Sequence, residues 1–296
     1  MRLPASLAVF AVTIGATLTA IAQDEVLETI VIEGNTKTDR DVIERVMDVE
    51  PGDAWDLETL DRVWDRLEDC GYFAFVDLDD PADAQGRVTL YVSVEEEKTF
   101  RATPYVRYDR RHKYLLGGAF EDTNLRGQGE TLSGQLIAAY IQRAQLNWER
   151  PWLAGVSGLS LALDAGWEQG PFVFRPFDYQ QWHLLATLKK DLGRGFYLEF
   201  GGGFESFEQQ DPYAWPVEGS AQTFDAETRD AWQVRALGGL DTRDSPYYPT
   251  GGMFHTLEWL YRDIGDVGQN GFTADLRLFQ QVLGTPIVAL RAFGRT

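Results

Sequence analysis

Residues 238–252 place a guanidinium between two carboxylates, among residues that interrupt regular structure. A guanidinium beside a carboxylate forms strong, charge-assisted hydrogen bonds. Prolines remove backbone donors and glycines tolerate a positive φ, so the middle of this stretch is not a regular strand. We expect Arg243 and the flanking acids to lock a turn; the plainer alternative is a polar turn between two antiparallel strands. This motif turn consists of Asp241, Thr242, Arg243, Asp244, Pro249 and Gly252.

Other residue types that commonly carry catalysis or bind metals lack the spacing that those roles need. The histidines His112, His183 and His255 are isolated and show no metal-ligand spacing. Neither a Gly-x-Ser-x-Gly elbow nor a serine-triad order is present. The glycines at 201–203 follow a strand pattern and no helix comes after them, so they indicate a bend in a strand and not a phosphate loop. We therefore expect no catalytic residue, no metal site and no cofactor.

Charge and the N-terminus restrict the possible partners and location. The 296 residues carry a formal net charge of −19, which argues against a nucleic-acid partner because phosphate binding needs a basic surface. Arg2, the apolar run at 7–19 and Ala20-Ile21-Ala22 are typical of an export signal, so we interpret residues 1–22 as a secretory signal peptide. A buried N-terminal helix is the alternative. No later stretch is long and apolar enough for a transmembrane helix, so any membrane residence must come from strands.

Residues 23–99 predict a small α+β domain with the order β-α-α-β-β. A β-branched alternating strand at 26–33 ends at Gly34-Asn35. Amphipathic helices follow at 39–49 and 57–69, and the second carries Leu57, Leu60, Val63, Trp64 and Leu67 on one side. Two further strands are predicted at 73–78 and 88–94. Cys70, the single cysteine, closes the second helix, and we interpret it as a small packing residue.

Residues 100–296 alternate apolar and small or polar residues in about eleven segments, with no helical period. One face is rich in glycine and serine, and many segments have an aromatic residue near one end. This pattern is typical of a transmembrane β-barrel, with apolar side chains outward, a polar lumen and aromatic girdles. A soluble β-sandwich and a lipocalin-like barrel are the alternatives. We expect Glu149 and Asp275 to belong to the polar lumen wall.

The lengths of the connections favour a barrel inserted from the periplasm. If the domain at 23–99 is periplasmic, the even-numbered connections face the periplasm: 123–129, 151–156, 191–195, 242–250 and 282–286. All of these are short, whereas the odd-numbered connections include 169–177 and the long polar stretch 209–228. Short periplasmic turns and longer external loops are the usual arrangement in the outer membrane. The motif turn would then be a periplasmic turn between the eighth and ninth strands.

The domain at 23–99 resembles a polypeptide-transport-associated (POTRA) domain. The resemblance rests on the element order and on two motifs, the first strand with its turn and the beginning of the second strand. These are Ile30-Val31-Ile32-Glu33-Gly34-Asn35 and Gly71-Tyr72-Phe73-x-x-Val76.

The strand region resembles the outer-membrane β-barrel assembly and translocation superfamily, of the bacterial surface antigen type. The motif turn carries this resemblance together with Gly117-Gly118-x-Phe120-x-Asp122-x-Asn124-Leu125-x-Gly127-x-Gly129. The resemblance implies POTRA domains followed by a barrel of about sixteen strands. It also implies assembly of client β-proteins into the membrane or passage of polypeptides across it, without a cofactor.

The resemblance also implies the partners and the location. The partners would be the outer-membrane lipid bilayer and unfolded β-barrel or secreted client proteins, and periplasmic accessory lipoproteins fit the same scheme. The protein would lie in the bacterial outer membrane with its N-terminal domain in the periplasm. A secretion translocator of the two-partner type, dedicated to one client, is the first alternative. A barrel enzyme or a passive pore is disfavoured, because neither needs a periplasmic domain of this kind.

The chain departs from the family pattern in three respects. It has one POTRA-like domain, it has only about eleven strand segments, and it lacks both a Val-Arg-Gly-Phe/Tyr motif and an aromatic-terminated last strand. Because unpaired backbone cannot face lipid, we expect an incomplete product that lacks about five strands of the barrel. The alternative is a small closed barrel, in which the last strand would pair with the first.

A client could add to an edge strand of the POTRA-like domain by β-augmentation, in which main-chain hydrogen bonds supply affinity with little sequence preference. We expect the strand at 73–78 to offer this edge through Phe73, Phe75, Val76 and Leu78. The alternative is that this strand only completes the fold of the domain, because the sequence does not say which strand lies at the edge.

Overall fold

The structure is a computed structural model that describes residues 25–110, 113–171, 177–210, 213–217, 220–224, 227–245, 248–265, 267–282 and 287–296. The predicted signal peptide at 1–22 lies outside the described residues, as do His112 and positions 246 and 247 beside the motif turn. Parts of the predicted connections at 169–177, 209–228 and 282–286 also lie outside them.

The first part of the chain folds into a four-stranded sheet with two helices, which we call the N-terminal domain. The sheet order is β2-β1-β4-β3; β1 and β4 are parallel and the other neighbours are antiparallel. The predicted order is confirmed, with a two-residue strand, β2, added between the helices. The elements are β1 (Glu25–Glu33), α1 (Arg40–Met47), β2 (Ala54–Trp55), α2 (Leu57–Asp69), β3 (Phe73–Asp79) and β4 (Arg87–Glu96).

One hydrophobic core lies between this sheet and its helices. Alternate residues of β4 (Val88, Leu90, Val92, Val94) are buried, while the residues between them face away from the helices. Helix α2 begins after Asp56, whose side chain accepts a hydrogen bond from the Thr59 amide and caps the helix. Leu57, predicted on the apolar face, is 77% exposed because it occupies the first helical position, ahead of the residues that reach the core.

The second part of the chain is an eleven-stranded antiparallel sheet, as the alternation predicted. Its order follows the chain, except that β11 pairs with β14 because the hairpin β12–β13 lies between them. The strands are β5 (Phe100–Asp109), β6 (Lys113–Leu125), β7 (Glu130–Ala138), β8 (Gln142–Arg150), β9 (Leu159–Pro171), β10 (Asp178–Gly193), β11 (Phe196–Gln209), β12 (Tyr213–Val217), β13 (Ser220–Phe224), β14 (Thr228–Asp241), β15 (Gly252–Ile264), β16 (Val267–Gln281) and β17 (Ile287–Arg295).

Strands β5 and β17 lie at the two ends of this sheet. Each pairs with one neighbour, β5 with β6 and β17 with β16. Within the described ranges no ladder joins β17 to β5, so the alternative of a small closed barrel does not describe this structure. The hairpin β12–β13, inside the connection predicted as a long polar loop, was not anticipated.

The two faces of the eleven-stranded sheet differ in chemistry. Large apolar side chains on one face are exposed, among them Phe200, Phe204 and Leu257. Ion pairs cross between strands on the other face, where Arg235 bridges Glu199 and Glu258 and where Asp275 pairs with Arg277 and Arg291. Asp275 therefore belongs to a paired polar wall and not to a freely solvated one.

Helices contribute no candidate membrane span in the part of the chain that the structure describes.

Candidate functional site

Strand β3 forms one edge of the N-terminal sheet. Its described partner is β4 on one side, with an irregular register between Phe73 and Phe75. Of the predicted edge residues, Phe73 and Val76 are buried in the core, Val76 with 2% exposure, and Leu78 is half-buried. Phe75 is 60% exposed and presents its ring to solvent. The backbone of β3 is thus accessible along one side, whereas two of the four predicted side chains are not.

A second feature joins the N-terminal domain to the turn between β6 and β7. We call this contact of residues 124–129 with residues 37–39 the interdomain clasp. The Asp39 amide donates to the Gly127 carbonyl at 2.8 Å, and the Asn124 side-chain amide donates to the Thr38 hydroxyl at 2.9 Å. The Asn124 side-chain oxygen accepts from the Gly129 amide at 2.8 Å. Asn124 is 1% exposed, so both ends of its amide are satisfied without water.

Gly127 shows why the clasp needs this sequence. Its φ is +77°, a conformation that glycine adopts without steric cost. A Cβ at this position would overlap the carbonyl oxygen of Lys37, so a side chain would push the turn away from the N-terminal domain. The glycine and the asparagine of the sequence motif at 117–129 therefore serve docking between the two sheets.

Charged groups support the clasp from one side. The Lys37 ammonium lies 3.2 Å from Asp122 and donates to the Thr99 hydroxyl at 2.7 Å. Glu96 accepts hydrogen bonds from the amides of Lys37 and Thr38 at 2.8 and 2.6 Å. Burial by itself would raise the pKa of the Glu96 carboxyl. These bonds and one from the Thr36 hydroxyl outweigh burial and lower the pKa to about 2.

Aromatic side chains anchor the same surface. Trp152, in the connection between β8 and β9, packs against the core of the N-terminal domain, although its φ of 50° is unusual for a non-glycine residue. The Tyr72 hydroxyl donates to the Gly129 carbonyl at 3.4 Å, and burial raises the pKa of Tyr72 to about 12. Two connections at the same end of the eleven-stranded sheet, β6–β7 and β8–β9, therefore contact the N-terminal domain.

The motif turn connects β14 to β15, the eighth and ninth strands of the eleven-stranded sheet. The Arg243 guanidinium donates twice to Asp241, at 2.8 and 2.7 Å, and lies over the Phe254 ring at 4.6 Å. The Arg277 guanidinium also lies near this ring, at 5.0 Å. The arginine thus binds one flanking acid and a ring that sequence reasoning had not identified.

Asp244 has a different partner from the one expected. Its carboxylate accepts hydrogen bonds from the amide and the hydroxyl of Thr250, which hold its pKa at about 2. The Thr242 amide donates to the Met253 carbonyl at 2.8 Å and closes the base of the turn. Gly252 has a φ of +95°, and a Cβ there would overlap the Thr242 carbonyl. Pro249, which precedes Thr250 in the chain, is half-buried. These contacts hold the turn in shape: Arg243 pairs with Asp241, and Asp244 is held by Thr250.

Over the described ranges, no three or more histidine, cysteine, aspartate or glutamate side chains lie close enough to hold a metal ion. His183 lies against Asp164, within the paired polar face of the eleven-stranded sheet.

Sequence reasoning did not include the interdomain clasp among its functional residues. The available signal was a run of polar and glycine residues at the end of a strand, at Asp122, Asn124, Gly127 and Gly129.

Comparison with known proteins identifies related folds. Residues 26–97 match the family described as "POTRA: Surface antigen variable number repeat". The outer membrane protein assembly factor BamA of Nitratidesulfovibrio vulgaris (strain Hildenborough) is 32% identical over 101 residues, which are 34% of this chain and 13% of that protein.

Solved structures match nearly the whole chain. BamA from Haemophilus ducreyi lacking POTRA domains 1–3 matches with a TM-score of 0.67 and 15% identity, over 86% of this chain and 52% of that one. CdiB from Acinetobacter baumannii matches with a TM-score of 0.53 and 15% identity, over 93% and 53% of the two chains. CdiB from Escherichia coli gives a TM-score of 0.53 at 12% identity, over 92% and 54%. At these identities the likeness concerns the fold, and the chain spans about half the length of the solved structures.

Proposed function

We propose that this chain, a POTRA domain joined to the sheet of an outer-membrane assembly or translocation β-barrel, binds unfolded client proteins and promotes their insertion into the membrane. The protein lies in the bacterial outer membrane, with the POTRA domain in the periplasm, in accord with the family match and the BamA relative. The name of that relative, an outer membrane protein assembly factor, supports assembly as the activity.

The observation that carries the proposal is the position of β3 at the edge of the N-terminal sheet. An extended client segment that meets this edge can form a further ladder of main-chain hydrogen bonds. Main-chain bonding suits clients of many sequences, because every residue except proline offers the same donor and acceptor. The interdomain clasp supports the proposal further, since it would hold that edge at a defined angle to the eleven-stranded sheet.

Site-specific photo-crosslinking tests this binding mode in the full chain reconstituted in lipid nanodiscs. A photo-reactive side chain replaces Asp77 on β3 or, as the matched control, Asp61 on α2; both are exposed acids of the same domain. The probe is a urea-unfolded outer-membrane β-barrel protein, diluted into the assay. We expect crosslinks from position 77 and few from position 61. Equal yields from the two positions would refute edge binding.

A proline at Val76 is a less direct test of edge binding than crosslinking at position 77. Val76 is part of the hydrophobic core, so this substitution also removes core packing. The variant is therefore informative only where the circular dichroism and the membrane insertion of the variant match those of the parent. In such a variant, unchanged client crosslinking would contradict the proposal.

A dedicated two-partner-type translocator is the second candidate, because the match to a POTRA region at 26–97 does not distinguish it from an assembly factor. The two activities leave a client in different places. An assembly factor leaves the client embedded in the bilayer, whereas a translocator delivers it across. Protease protection in vesicles, with the same unfolded barrel probe and a secreted polypeptide as the alternative probe, distinguishes the two.

A further inference from the structure

The N-terminal domain carries most of the net negative charge of the chain. Residues 25–99 contain 22 acidic and 7 basic residues, compared with 46 and 27 in the whole sequence. Charge of one sign on a periplasmic domain attracts segments of the opposite sign and accelerates their encounter. The position of these acids therefore bears on which client segments the domain accepts.

The open face of the N-terminal sheet, which the helices do not cover, contains a patterned surface along β4 and β3. Cross-strand pairing places Tyr91 beside Asp79, Ser93 beside Asp77, and Glu95 beside Phe75. All six side chains are exposed, including the aromatic rings of Phe75 and, at 43%, Tyr91. On the open face of β3, the edge strand, every second residue therefore forms an exposed row: Phe75, Asp77 and Asp79.

The carboxylates of this row and the neighbouring Glu95 form no ion pair with the described residues of the N-terminal domain. Within residues 25–110, none of the ion pairs includes Asp77, Asp79 or Glu95. By contrast, Asp83 near the start of β4 pairs with Arg87. The acids at the edge are thus available to an incoming strand, next to a ring that accepts either apolar or guanidinium contacts.

We infer that the segment that adds to β3 is an extended cationic strand, with Lys or Arg at alternate positions beside Asp77 and Asp79 and an apolar or aromatic residue beside Phe75. This inference rests on the proposed function, because it assumes that clients bind along β3. In an added strand, alternate side chains fall on the open face and lie directly opposite this row. The free edge supplies the main-chain bonds, and the carboxylates supply the preference among clients.

Peptide binding to the full chain in lipid nanodiscs tests the inference. Three fluorescein-labelled peptides share one alternating apolar pattern and carry Lys, Gln or Glu at the other positions. Fluorescence anisotropy measures the Kd of each for the parent, for Asp77→Asn/Asp79→Asn, and for the charge-matched control Asp61→Asn/Asp65→Asn on α2. All four positions are exposed, so these variants leave the core intact.

We expect the Lys peptide to bind most tightly and to lose about tenfold in affinity in the β3 variant, with a smaller loss at high salt. The α2 control and the Gln peptide should change by less than about twofold. Equal losses in the β3 variant and the α2 control would overturn the inference, because net charge alone would then explain the preference. Equal affinity for the three peptides would overturn it as well.

Crosslinking at position 75, with a photo-reactive phenylalanine analogue that leaves Asp77 and Asp79 in place, separates this inference from the proposed function. If the Gln peptide crosslinks there as efficiently as the Lys peptide, edge binding stands and the charge preference fails. If neither peptide crosslinks at position 75 above the level at position 61, edge binding itself fails.

Discussion

The two sheets of this chain use the same apolar–polar alternation and place their apolar residues in opposite environments. In the N-terminal domain, α1 and α2 cover one face and bury a single cluster that includes Leu27, Ile43 and Leu67. In the eleven-stranded sheet, the buried clusters are small and large apolar side chains such as Leu257 remain exposed. Alternation therefore identifies a strand with two unlike faces. Whether the apolar face is buried within the chain depends on helices that pack against it.

The polar faces of the two sheets differ as well. Asp77, Asp79 and Glu95, on the open face of the N-terminal sheet, form no ion pair within residues 25–110. On the polar face of the eleven-stranded sheet, arginines such as Arg235 and Arg277 neutralise neighbouring acids. The polar face of the eleven-stranded sheet is thus paired internally, whereas the proposed client-binding surface leaves charge available. The following variants test this contrast, in order of decreasing effect.

The largest expected difference comes from removing the same leucine atoms in the two regions. Leu67→Ala leaves a cavity in the N-terminal core and should cost about 2–5 kcal/mol of unfolding free energy. Leu257→Ala, on the exposed apolar face, should cost about 1 kcal/mol or less. Urea unfolding in nanodiscs, followed by hydrogen exchange of β4 and β15, measures both. Similar costs at the two sites would break the comparison.

Adding a charge should cost more stability on the apolar face of the eleven-stranded sheet than on the open face of the N-terminal sheet. Leu257→Lys places an ammonium on the apolar face and should cost about 2–4 kcal/mol in a bilayer if this face meets lipid. Tyr91→Lys, on the open face of the N-terminal sheet, should change stability by about 0.5 kcal/mol or less. Reversible unfolding from lipid vesicles gives the first value and urea unfolding gives the second. A tolerated lysine at position 257 would show that this face meets water.

The stability of the motif turn should depend on the paired geometry of Arg243. Arg243→Ala removes the two bonds to Asp241 and the contact with Phe254, and should cost about 1.5–3 kcal/mol. Arg243→Lys keeps the charge but loses the paired geometry, and should recover only part of this cost. Heat-dependent migration of the inserted protein in gels reports the difference. An alanine variant that inserts and resists heat normally would count against a locking role.

The interdomain clasp should couple the two regions measurably. Asn124→Ala removes hydrogen bonds to Thr38 and Gly129 and should cost about 1–3 kcal/mol. With Thr38→Val as the second change, a double-mutant cycle should give a coupling of about 0.5 kcal/mol or more. Hydrogen exchange at residues 36–39 should rise in the single and double variants alike. Purely additive effects would mean that the two side chains do not act together.

The smallest expected effect is a pH dependence at Glu96. The folded-state pKa of this carboxyl, about 2, lies below its ordinary value of 4.5. The ionised carboxylate therefore stabilises the fold above about pH 4.5, and this contribution disappears as pH falls towards 2. The difference in urea midpoint between the parent and Glu96→Gln should accordingly be full at pH 6 and shrink between pH 4.5 and 2. A difference independent of pH would exclude ionisation as its source.

Strand alternation was sufficient to predict the number of strands in the eleven-stranded sheet and their order along the chain. Period-2 runs such as that of β9 persist across each strand, so neighbouring strands could be counted without knowing their pairing. Helix α2 was bounded correctly because Asp56 caps it and Gly71 follows it. Strand β2 and the hairpin β12–β13 were missed because runs of two and five residues are too short to show a period.

Contacts between distant segments could not be predicted from the sequence. The bond between Asn124 and Thr38 joins residues 86 apart, and nothing local to either predicts it. Asp244 was assigned to Arg243 because the two are adjacent, whereas the structure pairs it with Thr250 across the turn. The edge position of β3 likewise depends on the parallel pairing of β1 with β4, which local pattern does not specify.

The clasp also implies an order of events during folding. Residues 36–39 precede β6 and β7 in the chain, so they are synthesised before the turn that satisfies them exists. The N-terminal core can assemble from local elements, but Thr38 meets Asn124 only after the β6–β7 hairpin has formed. Until then the N-terminal domain is free to turn about its junction with β5. The domain therefore acquires a fixed direction only as the first hairpins of the eleven-stranded sheet close, so under the proposed function it becomes ready to receive a client only as that sheet forms.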